Sequence, residues 1–266
     1  GDITHRYRGS ILGPMWLTLS TAVMLLALGV LYAKLFRIDM TDYLPWLTEA
    51  EFRARSGAAR AYDHPVSALR RILLETRLYG GLAESLLAGS PALDLILVYL
   101  QGTDSIGHVF APFAPPRQAA VSQDDFTRFG GVPERYFREI DTLLGRLLAL
   151  ADRSGSSVVV ASDHGFFWTD GRPERWASSD TRTAARWHRN QGIWLVRATG
   201  VAPGRSADGR LRQLFPTLLA LAGLPAPTGA EAQPLGGLPP LSLPAFDYSR
   251  VFRELAAREP APPLRT

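Results

Sequence analysis

Apolar and polar positions change their period several times along the chain. From Trp16 to Ala33 the sequence reads WLTLSTAVMLLALGVLYA with no charged residue. At the helical rise, about eighteen such residues nearly cross the hydrocarbon core of a bilayer. The segment predicts one transmembrane helix over about residues 16–35 and a membrane-associated chain. A cleaved leader and a buried core helix are the other two readings. No small-residue cleavage site follows, since Leu35, Phe36 and Arg37 come next. Arg6 and Arg8 precede the span and Lys34 and Arg37 follow it, so the side of the membrane stays open.

Residues 51–66 read as a polar linker, and soluble-type patterns begin after it. Leu69, Ile72, Leu73, Leu78, Leu82, Leu86 and Leu87 recur at helical intervals, predicting one or two helices that end at Gly89. DLILVYL (94–100), SVVVAS (157–162) and GIWLVRA (192–198) are short, apolar and partly β-branched, as expected of strands buried on both faces of a parallel sheet. Between the first two, Tyr136, Phe137, Ile140, Leu143, Leu144, Leu147 and Leu148 form one stripe of a helix bracketed by Pro133 and Gly155. Strand, long loop, helix and strand compose a crossover unit, so the predicted fold class is α/β, a mostly parallel sheet flanked by helices. A helix is expected from near Pro216 to Gly223. Residues 226–266 read as a proline-rich tail with a last short helix in DYSRVFRELAARE.

The 266-residue chain is 46% hydrophobic, enough to bury a sizeable core. It contains no cysteine, which excludes disulfides and thiolate-bound metal. The net charge of +4 rests on arginine, Lys34 being the only lysine. No arginine run interleaves with aromatics, which argues against nucleic-acid binding by a basic patch. Oligomeric state is not legible.

Three of the five histidines fall at predicted strand ends, where ligands collect in open α/β sheets. The first strand leads into Asp104 and His108, the second into Asp163 and His164, and His188 stands just ahead of the third. Singly, each has a plain structural reading: an Asx turn for Asp163-His164-Gly165, a cap for Asp104 and His108, a solvated surface for His188. Jointly, carboxylates and imidazoles from three loops suit zinc or a similar divalent ion. The long segment from Gly107 to Gly131, rich in proline and phenylalanine, is expected to be a loop that covers the metal and helps choose the leaving group.

These residues carry a resemblance. GTDSIGH, ASDHGF and WHRNQGI, with the later PTLLALAGLP, resemble the type I phosphodiesterase and nucleotide pyrophosphatase family of the alkaline phosphatase superfamily, over about residues 69–224. The resemblance implies that residues 67–225 are the C-terminal part of an alkaline-phosphatase-like domain. It also implies two divalent ions, zinc with manganese as the alternative, over a small phosphate ester. By this resemblance one ion falls to Asp104, His108 and His188, and the second to Asp163 and His164. The family also uses an early aspartate and a threonine or serine nucleophile. Asp63 and Ser85 are the candidates between Glu51 and Pro91, and neither fits, so no catalytic nucleophile is assigned.

Separately, RYRGSILGPMWLTLS (6–20) and DYLPWLTEA (42–50) resemble the start of a polysaccharide ABC exporter permease, so residues 1–50 are expected to form a permease-like segment. The resulting expectation is a metal-dependent phosphoric ester hydrolase of the phosphodiesterase or pyrophosphatase type, impaired because its N-terminal part is missing. A metal-binding remnant without activity, or a fusion, is one alternative; a membrane component of a polysaccharide exporter is another.

Overall fold

The computed structural model describes residues 38–56, 64–89 and 93–258, apart from 175–177, 179, 207, 230–232, 237 and 239–242. By its internal contacts the chain divides into two units. One comprises residues 1–78 and 100–135, the other 79–99 and 136–266.

In the first unit, helix α1 (Glu49–Ser56) starts at a reciprocal cap. The Glu51 amide donates to the Thr48 hydroxyl (3.2 Å), and the Thr48 amide donates to the Glu51 carboxylate (3.0 Å). The supposed linker is therefore partly helical, and Thr-x-x-Glu was its signal. Helix α2 (Pro65–Gly89), which belongs to the second unit from Tyr79 on, begins on proline, whose missing N–H is harmless there, and buries Val66, Leu69, Ile72 and Leu73 completely. Helix α3 (Gly102–Phe110) buries Ile106 and Phe110, one turn apart. Helix α4 (Gln123–Phe129) is capped by the Ser122 hydroxyl, which accepts from the Asp125 amide at 3.0 Å. Phe110, Phe113, Phe129 and Trp46 stack edge-on or tilted with ring centres 5.2–6.4 Å apart. The Trp46 indole donates to the Arg128 carbonyl at 3.3 Å, giving the polar end of a half-buried aromatic its partner. The expected Gly107–Gly131 loop is thus largely helical, because its phenylalanines form a core.

Helix α5 (Val132–Ser154) enters the second unit at Tyr136 and ends before Gly155, whose φ of +66° suits a residue without a β-carbon. Tyr136 and Leu143 are buried, and Gly80 of α2 faces the Leu143 methyls. Strands β1 (Val158–Ala161) and β4 (Trp194–Arg197) pair antiparallel, Val158 opposite Arg197 and Ala161 opposite Trp194. Strands β2 (Gly165–Phe166) and β3 (His188–Arg189) pair antiparallel too. Helix α6 (Leu214–Leu221) fixes the following chain through Thr217, whose hydroxyl donates to the Gln213 carbonyl and accepts from the buried Leu235 amide. Helix α7 (Tyr248–Arg258) matches the expected terminal helix.

Two expectations are corrected. The sheet is not a large parallel one: among the described residues the strands form two small antiparallel pairs. Asp94–Leu100 is neither helix nor strand and joins no ladder, with Leu95 58% and Leu97 77% exposed. An apolar run marks a strand-forming segment but not the direction of its partner, and Leu195, 55% exposed on β4, shows one face of that pair open to solvent. The second correction concerns the membrane. No helix among the described residues is long and apolar enough to cross one, against the expected membrane-associated chain with a single N-terminal span. The segment 16–35 itself lies outside the described residues.

Candidate metal centre

The first unit supplies one carboxylate–imidazole pair. Asp104 and His108 do not lie in a loop beyond a strand; they stand one turn apart on α3. The i, i+4 spacing sets them on a common face, roughly 200° around the helix from Ile106 and Phe110, which face the core. Asp104 Oδ1 lies 3.2 Å from His108 Nε2, and both side chains are half-buried. The Gln101 amide donates to Asp104 Oδ2 at 3.3 Å, leaving Oδ1 directed at the imidazole. Asp104 also falls in the first helical turn, where the helix dipole favours a negative charge.

The second unit supplies the rest. β1 and β2 follow one another along one side of a ribbon, β3 and β4 along the other. Between the pairs Ala161–Trp194 and Gly165–Arg189 stand three residues on one side, Ser162 to His164, against four on the other, Asn190 to Ile193. The ribbon therefore contains a bulge: the extra residue lies on the Asn190–Ile193 side, and Asp163 and His164 stand opposite it. Bulges re-aim side chains next to functional sites.

The imidazoles of His164 and His188 stack with centroids 3.8 Å apart and planes 14° from parallel. A ligating atom of one lies within 4.8 Å of one on the other. His164 Nδ1 sits 3.0 Å from the Gly165 carbonyl. A carbonyl only accepts, so Nδ1 carries the proton and Nε2 presents its lone pair, the tautomer that metal-binding histidines use. Asp163 Oδ1 accepts from the His164 amide at 3.1 Å and lies 3.8 Å from His164 Nε2. Two ligands on a tetrahedral zinc with 2.0–2.1 Å bonds stand about 3.3 Å apart. The Asp104–His108 pair meets that separation and the Asp163–His164 pair comes near it. The donor set of neutral imidazoles and carboxylates, in a chain without cysteine, fits a divalent ion.

His164 and His188, assigned by the resemblance to different ions, thus lie side by side in one unit, while Asp104 and His108 form a pair in the other. Ser85 lies inside α2, as expected for a residue unsuited to nucleophilic attack, and Asp63 lies outside the described residues. Sequence reading missed Ser162 and Gly192 and took Gly165 only as part of a turn, though all three shape the bulge. A β-carbon on Gly165 would overlap the Gln191 carbonyl oxygen, and one on Gly192 the Ser162 carbonyl oxygen. Glycines flanking the histidine motifs were the available signal.

Comparison with known proteins places these residues in a family. The chain is 29% identical over 186 residues to a 2,3-bisphosphoglycerate-independent phosphoglycerate mutase of Wolinella succinogenes, covering 69% of this chain and 30% of that protein. It is 36% identical over 134 residues to a protein of the same name from Cereibacter sphaeroides strain ATCC 17025, covering 50% and 22%. A counterpart from strain ATCC 17023 is 30% identical over 205 residues, covering 72% and 34%. The chain thus spans about a third or less of the length of these relatives. No solved structure matches it. The family model for type I phosphodiesterase / nucleotide pyrophosphatase matches residues 4–213. That match runs through residues 6–50, and nothing supports their likeness to an exporter permease. With most of its length matched, the chain belongs to the type I phosphodiesterase / nucleotide pyrophosphatase family.

Proposed function

We propose that this chain holds divalent metal for phosphoric-ester chemistry, and that its reaction is hydrolysis of a phosphodiester or pyrophosphate. The observation that carries the reading is the stacked His164–His188 pair beside Asp163, in a chain of this family. Asp104, His108 and His188 are assigned to one ion, Asp163 and His164 to the second, with zinc as the metal and manganese as its substitute. Such ions, when bound, neutralise charge on the phosphoryl oxygens and lower the pKa of a coordinated water. The chain's own contribution is orientation. The Gly165 carbonyl fixes the His164 tautomer, the bulge directs Asp163 and His164 together, and α3 holds Asp104 and His108 in register.

The test is hydrolysis of bis(p-nitrophenyl) phosphate by the purified chain with zinc or manganese added. Metal-dependent turnover that His188→Ala and His108→Ala both abolish supports the reading. Zinc binding without turnover reduces the chain to a metal-binding member without hydrolytic activity. A second reading follows from the relatives' names, which describe a phosphoglycerate mutase. Isomerisation of 3-phosphoglycerate without hydrolysis of the diester would favour that reading.

A further inference from the structure

We propose that the Ser162 hydroxyl is a positioning residue for the metal-binding group, maintaining the register break that turns Asp163 and His164 out of the ladder. The inference rests on the metal reading above and adds a residue that touches neither metal nor substrate.

Ser162 is the last residue before the bulge. Its amide donates to the Ile193 carbonyl at 3.0 Å, continuing the β1–β4 ladder by one position. In a regular antiparallel pair of this kind the two residues exchange both bonds, so the Ile193 amide would return to the Ser162 carbonyl. It does not. The Ile193 N–H donates to the Ser162 hydroxyl oxygen instead, at 3.0 Å. The side chain has taken the carbonyl's place, and the ladder stops there.

Two close backbone approaches, one from each strand, hold the break open. Gly192 presses its α-carbon against the Ser162 carbonyl and hydroxyl, where a β-carbon would overlap backbone oxygen. Gly165 approaches the Gln191 carbonyl just as closely. Pairing then resumes one residue out of step at Gly165–Arg189 and Phe166–His188, with the Phe167 amide donating to the Trp187 carbonyl at 2.9 Å. A strand that slips by one residue sends each side chain to the opposite face. The offset therefore decides whether Asp163 and His164 share a side with His188. Without the hydroxyl, the Ile193 amide loses its acceptor in the bulged form, which is then held less firmly against a regular ladder.

The experiment uses the full chain and zinc as the probe, with affinity measured by competition against a chromophoric chelator and geometry by the visible spectrum of the cobalt(II) form. Ser162→Ala is expected to weaken zinc about tenfold, the equivalent of one lost hydrogen bond, and to alter the cobalt spectrum. It should also speed hydrogen exchange at the Ile193 amide. Ser162→Thr, which keeps the hydroxyl, should restore all three. Gly192→Ala, which forces the strands apart with Ser162 intact, should weaken zinc as well. Zinc affinity and cobalt spectrum unchanged in Ser162→Ala would overturn the proposal, as would loss in Ser162→Thr equal to that in Ser162→Ala. His188→Ala separates the two levels of inference. If it binds zinc like the unsubstituted chain, the metal reading fails and the positioning role falls with it. If it loses zinc while Ser162→Ala does not, only the role of Ser162 is wrong.

Discussion

Replacing Phe110 with alanine tests whether the aromatic cluster is what holds α3 in place. Phe110 is completely buried, its ring centre 6.4 Å from that of Phe113 and 6.1 Å from that of Phe129. Removing a buried phenylalanine side chain costs about 3–5 kcal/mol through lost transfer energy and the cavity left behind. Each tilted ring pair contributes about 0.5–1.5 kcal/mol beyond area, so the upper half of that range, about 4 kcal/mol, is expected. With a urea dependence of about 2 kcal/mol per molar, the midpoint should fall by about 2 M. Tryptophan fluorescence is a suitable readout, because Trp46 contacts Phe129 within the same cluster. Phe110→Leu keeps most of the volume and should cost only about 1–1.5 kcal/mol. Because Asp104 and His108 stand on the same helix, the alanine variant should also lose metal affinity more than the leucine variant does. A midpoint change in Phe110→Ala below about 0.5 M would refute the assignment of α3 to a packed aromatic core.

Two further predictions concern the surface. Arg182 donates hydrogen bonds to both Asp180 carboxylate oxygens, holding its pKa down at about 2 against an ordinary 3.8. A depressed folded-state value means the contribution is fully present above pH 3.8 and is lost as pH falls through about 2. Carboxyl carbon shifts should therefore titrate near pH 2 and move up toward 3.8 in Arg182→Ala; an unmoved midpoint would remove Arg182 as the cause. Leu97, 77% exposed on a segment that joins no ladder, should tolerate lysine with under about 0.5 kcal/mol of stability change. Light scattering of Leu97→Lys should set in at higher protein concentration than for the unsubstituted chain, and a stability loss above about 1 kcal/mol would show that this residue is packed after all.

Sequence reading succeeded where a pattern is local. The seven-residue stripe from Tyr136 to Leu148 predicted a helix bracketed by Pro133 and Gly155, and α5 spans Val132–Ser154. SVVVAS and GIWLVRA became β1 and β4 to within two residues at each end. What failed is non-local. Val158–Ala161 is compatible with a parallel or an antiparallel neighbour, and only the tertiary pairing decides. DLILVYL has the composition of a strand, yet a strand needs a partner, and among the described residues it has none in a ladder. Metal-liking residues are legible by type and order, but Asp104 and His108 were placed in a loop because 94–100 reads as a parallel strand whose end they follow. The apolar i, i+4 pair Ile106 and Phe110 carried the opposite message. The bulge was out of reach, since it exists only as a mismatch between two distant segments.

Placing Asp104 and His108 on a helix rather than in a loop also sets what the chain can tolerate as it diverges. One residue inserted between them would turn His108 by about 100° and carry it off the face of Asp104. An insertion between Ala114 and Val121, a stretch without helix or strand, would leave both where they are. The four-residue interval in GTDSIGH is thus held by geometry to a fixed length, while the segment a few residues downstream is free to lengthen.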